Sequence, residues 1–249
     1  MADYIDCDFD FRVDAGGKDP DFASPTLRRY HRILWSKPLP GGQLLTLSES
    51  TPGVYLHHRS ELGEFFLSSD SVMQTFIRWP RLFPITRQLS DEELRSFFDL
   101  GYTIGGTTVF PSNQIDRKWT INQARGCIRA ISDRFDLTVE CIRRFYADEP
   151  SPLYDTFARY RDFFALFEDF PSYVEFFLLQ DIVDSGHGVR FFMPFDDFRY
   201  PAVPSDVSTY REFRARSMEF NTARNERIRG LYGKKESSQL APTSADGGN

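Results

Sequence analysis

A chain of 249 residues with 41% hydrophobic and 16% aromatic content is long enough for one sizeable core, and 25 phenylalanines supply much of it. A formal net charge of −6 and a pI near 5.3 give no overall attraction to nucleic acid or to an anionic membrane. No apolar run approaches the ~18 to 20 residues of a membrane span, and the opening MADYIDCDFDF is acidic where a secretory signal is basic, so an intracellular, cytoplasmic protein is expected.

Alternation of Ile5, Cys7, Phe9, Phe11 and Val13 with Asp6, Asp8, Asp10, Arg12 and Asp14 predicts a half-buried first strand. On such a strand Asp6, Asp8 and Asp10 share one face, which suits a charged edge strand better than a divalent-cation site. A turn at Asp19 to Asp21 leads to a helix capped by Ser24 and opened by Pro25, with Leu27, Tyr30 and Leu34 on one face and KPLPGG at its end. QLLTL, GVYLHHR and EFFLS then read as a small antiparallel meander, with SELG as the turn between the last two strands. Ser68, Ser69, Asp70 and Ser71 resemble an N-cap cluster for a helix over VMQTFIRW. Ser90 and Glu93 form a capping box for DEELRSFFDL, whose apolar stripe is Leu94, Phe97 and Phe98.

The stretch GYTIGGTTVFPSNQIDRKWTINQARG places Gly105 and Gly106 before a strand, TTVFP, and leaves the loop into the next helix without glycine. That order excludes a nucleotide P-loop and marks the pair as a bulge or a close approach of two backbones. Thr120 and Gln123 form the capping box of the following helix. Beyond residue 120 the period is helical almost throughout. Ser151 and Pro152 open a helix carrying Leu153, Phe157, Tyr160, Phe164 and Phe167 on one face, and PSYVEFFLLQDIV predicts a central buried helix. VRFFMPF returns to strand, and STYREFRARSMEFNTARNERIRGLYG is a long final helix whose arginines are interrupted by acids, the pattern of a solvated face. The class is therefore α+β: a small antiparallel sheet mainly from the N-terminal half packed against a helical C-terminal half. Residues 1–233 form a single compact domain, and 234–249 form a disordered polar tail.

Two constellations carry candidate chemistry. In YLHHRSELGEF, His57 and Arg59 share a strand face, and Glu61 follows in the turn, so His57, Arg59 and Glu61 are a candidate base, cation and carboxylate orienter. Before the helix at Thr120, Arg117 and Lys118 precede its start and Arg125 points back towards the same end, a candidate anion-binding group. A solvated hairpin and a purely capped helix are the plainer explanations of the two. Cys7, Cys127 and Cys141 read as free thiols, no metal site is expected, and no cofactor is named by these residues.

At SPTLRRYHRILWSKPLPGG, YLHHRSELGEFFLSSDS, GYTIGGTTVFPSNQIDRKWTINQARG, DRFDLTVECIRRFY and FFMPFDDF the chain resembles a family of uncharacterised bacterial proteins known only as a domain of unknown function, over most of residues 6 to 228. The resemblance implies a bacterial, cytoplasmic, stand-alone domain and carries over no activity. Two functions are open: an intracellular enzyme or ligand-binding protein acting on a phosphate-bearing small molecule or nucleic acid, the small molecule being preferred, and a non-catalytic protein–protein interaction domain.

Overall fold

A computed structural model describes residues 4–233, so the tail expected over 234–249 lies outside the described residues. Helices α1 (Pro20–Ala23) and α2 (Pro25–Trp35) come first. Ser24 caps α2 by accepting from the Leu27 amide, and Leu27, Tyr30 and Leu34 are buried as their spacing requires. The sheet has three antiparallel strands, β1 (Leu56–Ser60), β2 (Gly63–Ser71) and β3 (Thr107–Pro111), in the order β1-β2-β3. Ser60 pairs with Gly63, which leaves Glu61 and Leu62 as a two-residue hairpin turn. On the central strand Phe65, Leu67 and Ser69 face the core, while Phe66, Ser68 and Asp70 lie on the half-exposed face. The fold is thus α+β, with the sheet in the N-terminal half and helices through the C-terminal half.

Between β2 and β3 lie α3 (Phe83–Thr86) and α4 (Asp91–Gly101), the latter closed by the Ser90–Glu93 capping box. The helices that follow are α5 (Ile121–Cys127), α6 (Phe135–Tyr146), α7 (Tyr154–Ala158), α8 (Arg161–Ala165), α9 (Phe170–Phe176) and α10 (Val207–Tyr232). Gly105 is where α10 meets the turn before β3. A Cβ there would stand 2.7 Å from Asn225 Oδ1 and 2.8 Å from the Asn221 carbonyl oxygen, so only glycine lets the two backbones approach. Fully buried Arg224 fixes the same junction, donating to the carbonyls of Gly105 (3.0 Å), Thr107 (2.6 Å) and Phe177 (3.2 Å). Around α6 to α9 the phenylalanines form one continuous cluster, with Phe157 and Phe164 at 5.0 Å and Tyr173 and Phe177 at 4.6 Å between ring centroids.

Several expected elements differ. Residues 5 to 13 turn repeatedly instead of forming a strand, although Ile5, Cys7 and Phe11 are buried. The aspartates cause this: the Asp8 amide donates to Asp6 Oδ1 (3.0 Å) and the Arg12 amide to Asp10 Oδ1 (2.9 Å), side-chain turns that compete with extended backbone. QLLTL contributes only a bridge from Leu44 to Pro38. Ser68 to Ser71 do not cap a helix; they extend β2, because β3 pairs with them from Ser68↔Phe110 to Ser71↔Thr107. The helix expected from Ser151 breaks at Tyr160 into α7 and α8, which lets Phe163 reach Phe65 on the sheet (5.8 Å) while Phe157 and Phe164 stay against Phe145. The central buried helix stops at Phe176, where Lys37 Nζ takes the Phe176 carbonyl (2.5 Å) and Arg224 takes that of Phe177. VRFFMPF is not a strand: Val189 makes a single bridge to Val183, and the Phe192 amide is drawn to Asp136 Oδ2 at 2.8 Å.

Candidate functional site

The structure places the six residues singled out in the sequence in three separate settings. His57 lies on β1 with its ring stacked on Phe66 (4.7 Å between centroids), Nε2 at 2.9 Å from Glu64 Oε1 and Nδ1 at 2.9 Å from Thr51 Oγ1. Arg59 and Glu61 are exposed near the hairpin tip, and no hydrogen bond or ion pair joins either to His57 among the described residues. Glu64, across the strand pair, is the carboxylate that reaches His57; the sequence offers it beside Glu61. Arg117 and Lys118 are exposed on the loop before α5. Arg125 is not with them. Its side chain is 0% exposed and lies beneath the sheet face, so the three cations do not form one anion cradle. The hairpin and the α5 region are bridged by β2: Asp70, which pairs with Arg125, lies four residues along from Phe66, the strand partner of His57, a separation of about 13 Å.

What Arg125 does organise is a group of carboxylates. It pairs with Asp70 through Nη1, stands 3.5 Å from Asp133 Oδ1 through Nη2, and donates from Nε to Thr138 Oγ1 (3.0 Å) and from Nη2 to the Ser71 carbonyl (3.3 Å). The rings of Phe110 and Phe135 lie 5.4 and 5.7 Å from its guanidinium carbon, so the cation is shut away from water. The side chains of Asp70 and Asp133 are 18% and 25% exposed. Gln74 Nε2 holds Asp133 at 2.8 Å, and Ser69 Oγ donates to Asp21, on α1, at 2.7 Å. Asp21, Asp70 and Asp133 all line one cleft of about 320 Å³, whose other walls include Trp79, Phe98 and Tyr102.

Three carboxylates around one buried guanidinium cannot all ionise freely near neutral pH. Burial, with repulsion from Asp133 and Asp21, pushes the Asp70 carboxyl up to about 7 against the pull of Arg125. Burial pushes Asp21 up to about 6, although the Ser69 hydroxyl opposes the shift, and burial raises Asp133 as well. The cleft therefore gathers carboxyls that burial makes easier to protonate than ordinary aspartates, the kind of environment that suits acid–base chemistry.

A second cavity, of about 450 Å³, lies on the other side of Asp21 and is lined by Phe22, Arg28, Val54, Tyr55, Ser68 and Asn122 among others. Between the two cavities sits His31, fully buried, with Nδ1 at 3.0 Å from the Tyr55 hydroxyl and Nε2 at 3.0 Å from Thr107 Oγ1. Burial pushes its pKa down to about 3, so it is a neutral connector rather than a switch. The sequence reading missed Asp21, Asp70 and Asp133, having assigned the first to a turn and the second to a cap.

The chain belongs to a family of unknown function (DUF6994), whose model matches residues 5–228. No curated protein and no solved structure matches it. Among the described residues no helix is long and apolar enough to cross a membrane.

Proposed function

We propose that this chain is a cytoplasmic enzyme or ligand-binding protein for a small molecule, working by proton transfer in the cleft of Asp21, Asp70 and Asp133. The observation that carries the reading is the geometry of Asp70, Asp21 and Asp133 lining one cleft around the buried Arg125, where burial raises the carboxyl pKa values. Asp70 is the proton donor and Asp21 the acceptor. Arg125, Asp133 and Gln74 position Asp70 by holding the charge balance behind it. A small molecule fits better than nucleic acid, because a polyanion entering this cleft would meet carboxylates first. Three cysteines without a disulfide among them, Cys7, Cys127 and Cys141, suit a reducing compartment.

The alternative, a non-catalytic interaction domain, draws on the exposed side chains of Phe22 (83%) and Trp119 (52%). These stand on different segments, α1 and the loop before α5, and single exposed aromatics are common on ordinary surfaces.

Thermal melting of the wild type and Asp70→Asn against nucleotides, sugar phosphates and uncharged glycosides tests the proposal, since a ligand of the folded state raises its apparent stability. A compound that stabilises the wild type and loses its effect on Asp70→Asn is expected, together with an Asp70 carboxyl that titrates close to 7 by NMR. Titration of Asp70 at an ordinary carboxylate value near ~4 would remove the basis for proton transfer.

A further inference from the structure

The second cavity holds a cation that the protein itself leaves unused. Arg28, on α2, lies with its guanidinium carbon 5.1 Å from the centroid of the Tyr55 ring, so its head is held in one place by stacking. No ion pair or hydrogen bond to the Arg28 side chain occurs among the described residues; its amide donates to the Ser24 carbonyl (3.3 Å) within α2. One turn further along, Arg32 is committed to Glu49 at 2.5 Å, and Arg29 lies over Tyr30, outside the cavity. Of the two carboxylates that line the cavity with Arg28, Glu49 is paired with Arg32, and Asp21 accepts from the Ser69 hydroxyl, which holds it in place without matching its charge. A half-buried guanidinium on a cavity wall, with no side-chain hydrogen-bond partner, has its donors free for a ligand or for water.

The remaining walls fit the rest of a ligand. Ser68 Oγ accepts from Asn122 Nδ2 (3.1 Å) and keeps its own hydrogen for another acceptor. Asn122 Nδ2 also donates to the Ser69 carbonyl (3.1 Å), which fixes the polar side of the cavity. Phe22, Pro52 and Val54 supply an apolar side, and the volume of about 450 Å³ lies in the ordinary range for a small organic ligand.

We propose that this cavity binds an organic oxyanion, a carboxylate or a phosphate monoester on an apolar body, with Arg28 as the bidentate anchor. The planar fork of an arginine matches both groups, which is why the chemistry is stated as their shared geometry. Ser68 donates to the oxyanion and the body packs on Val54 and Phe22. The site adjoins the acid–base cleft through Asp21 and does not rely on it: Asp70 is no part of its wall.

The test uses the full chain with phenyl phosphate, benzoate and inorganic phosphate as probes, titrated calorimetrically at fixed ionic strength into the wild type, Arg28→Met, Arg29→Met and Asp70→Asn. Phenyl phosphate or benzoate should bind the wild type, and whichever binds identifies the source of the oxyanion. Arg28→Met should weaken that binding by roughly tenfold or more, the scale of a lost charge-assisted hydrogen-bond pair, while Arg29→Met and Asp70→Asn leave it unchanged. Circular dichroism and melting of Arg28→Met confirm that it is folded. Absence of binding by all three probes to the wild type overturns the proposal, and so does equal binding by folded Arg28→Met. Loss of binding in Asp70→Asn alone would instead move the oxyanion to the neighbouring cleft and equally refute this assignment.

Discussion

Replacing Arg125 by alanine separates two incompatible pictures of the α5 region. Were Arg125 an exposed cation beside Arg117 and Lys118, its loss would be nearly silent, since surface substitutions usually stay within about 0.5 kcal/mol. In the structure it is fully buried and neutralises Asp70 and Asp133, and removal of one partner from a buried ion pair costs about 3 to 5 kcal/mol. The cost must also depend on pH, and its sign follows from proton linkage. Arg125 lowers the pKa values of Asp70 and Asp133, so the folded variant retains more protons than the folded wild type around neutral pH. The unfolded states differ little in this respect. The stability difference between wild type and Arg125→Ala therefore widens as pH rises, by about 1.4 kcal/mol for each pKa unit that Arg125 supplies. Urea denaturation of both proteins at pH 5 and pH 8 reads this directly. A loss below about 1 kcal/mol at both pH values, or one that does not grow with pH, would refute the buried-cluster reasoning.

Three further outcomes bear on the scaffold. Thr120→Ala should lower stability by about 0.5 to 2 kcal/mol in urea titrations, because Thr120 Oγ1 takes the Gln123 amide in a capping box whose other half is also formed. Phe164→Ala and Phe177→Ala should each cost about 3 to 5 kcal/mol in the same assay, as both rings are 1% exposed inside the aromatic cluster. Gly105→Ala should lower the melting temperature clearly, since the new methyl would press on Asn225 and on the Asn221 carbonyl; overpacking of this kind costs about 1 to 3 kcal/mol, and an unchanged melting temperature would mean that α10 can back away.

Where a local interaction decided the structure, the sequence was easy to read. Ser24, Ser90 and Thr120 are visible caps because the oxygen and the amide it serves lie within four residues, and the hairpin at Glu61 and Leu62 follows from two strands with a short polar gap. Elements that depend on distant partners were less legible. Nothing local to Ser68 to Ser71 announces that β3, almost forty residues later, will pair with them and keep them extended. Tyr160 gives no helix-breaking signal either; its hydroxyl reaches the Asn113 carbonyl at 2.8 Å, a tie that exists only after the chain has folded back. The N-terminal segment failed for a different reason. Its alternation is real, yet aspartates that bond their own backbone two residues on turn the chain, so that Ile5, Cys7 and Phe11 are buried without a strand while Val13 is left exposed.

The candidate site left one trace in the sequence, and it lies in α5. The helix is predicted by its Thr120–Gln123 capping box with Arg125 assigned to an anion, but Ile121, Ala124, Arg125 and Ile128 recur at the spacing of a helix's apolar stripe, which puts Arg125 on the side that faces the core. A guanidinium keeps its charge at ordinary pH, and a buried one must have its donors met, by carboxylates as for Arg125 or by backbone carbonyls as for Arg224. An arginine at a core position therefore announces acceptors somewhere else in the chain, even though it cannot say which. Of the aspartates that satisfy it, Asp70 sits on the half-exposed face of β2, and Asp133 follows α5 in a left-handed turn (φ +62°) that a regular helix would have prevented. Once both are drawn to one cation, Asp21 is brought within their field by the Ser69 hydroxyl; burial is the main cause that lifts the pKa values of Asp21 and Asp70, and repulsion among the carboxylates adds to it. The same chain of reasoning separates Arg125, whose charge is met by Asp70 and Asp133 inside the protein, from Arg28, whose side chain has no carboxylate partner among the described residues.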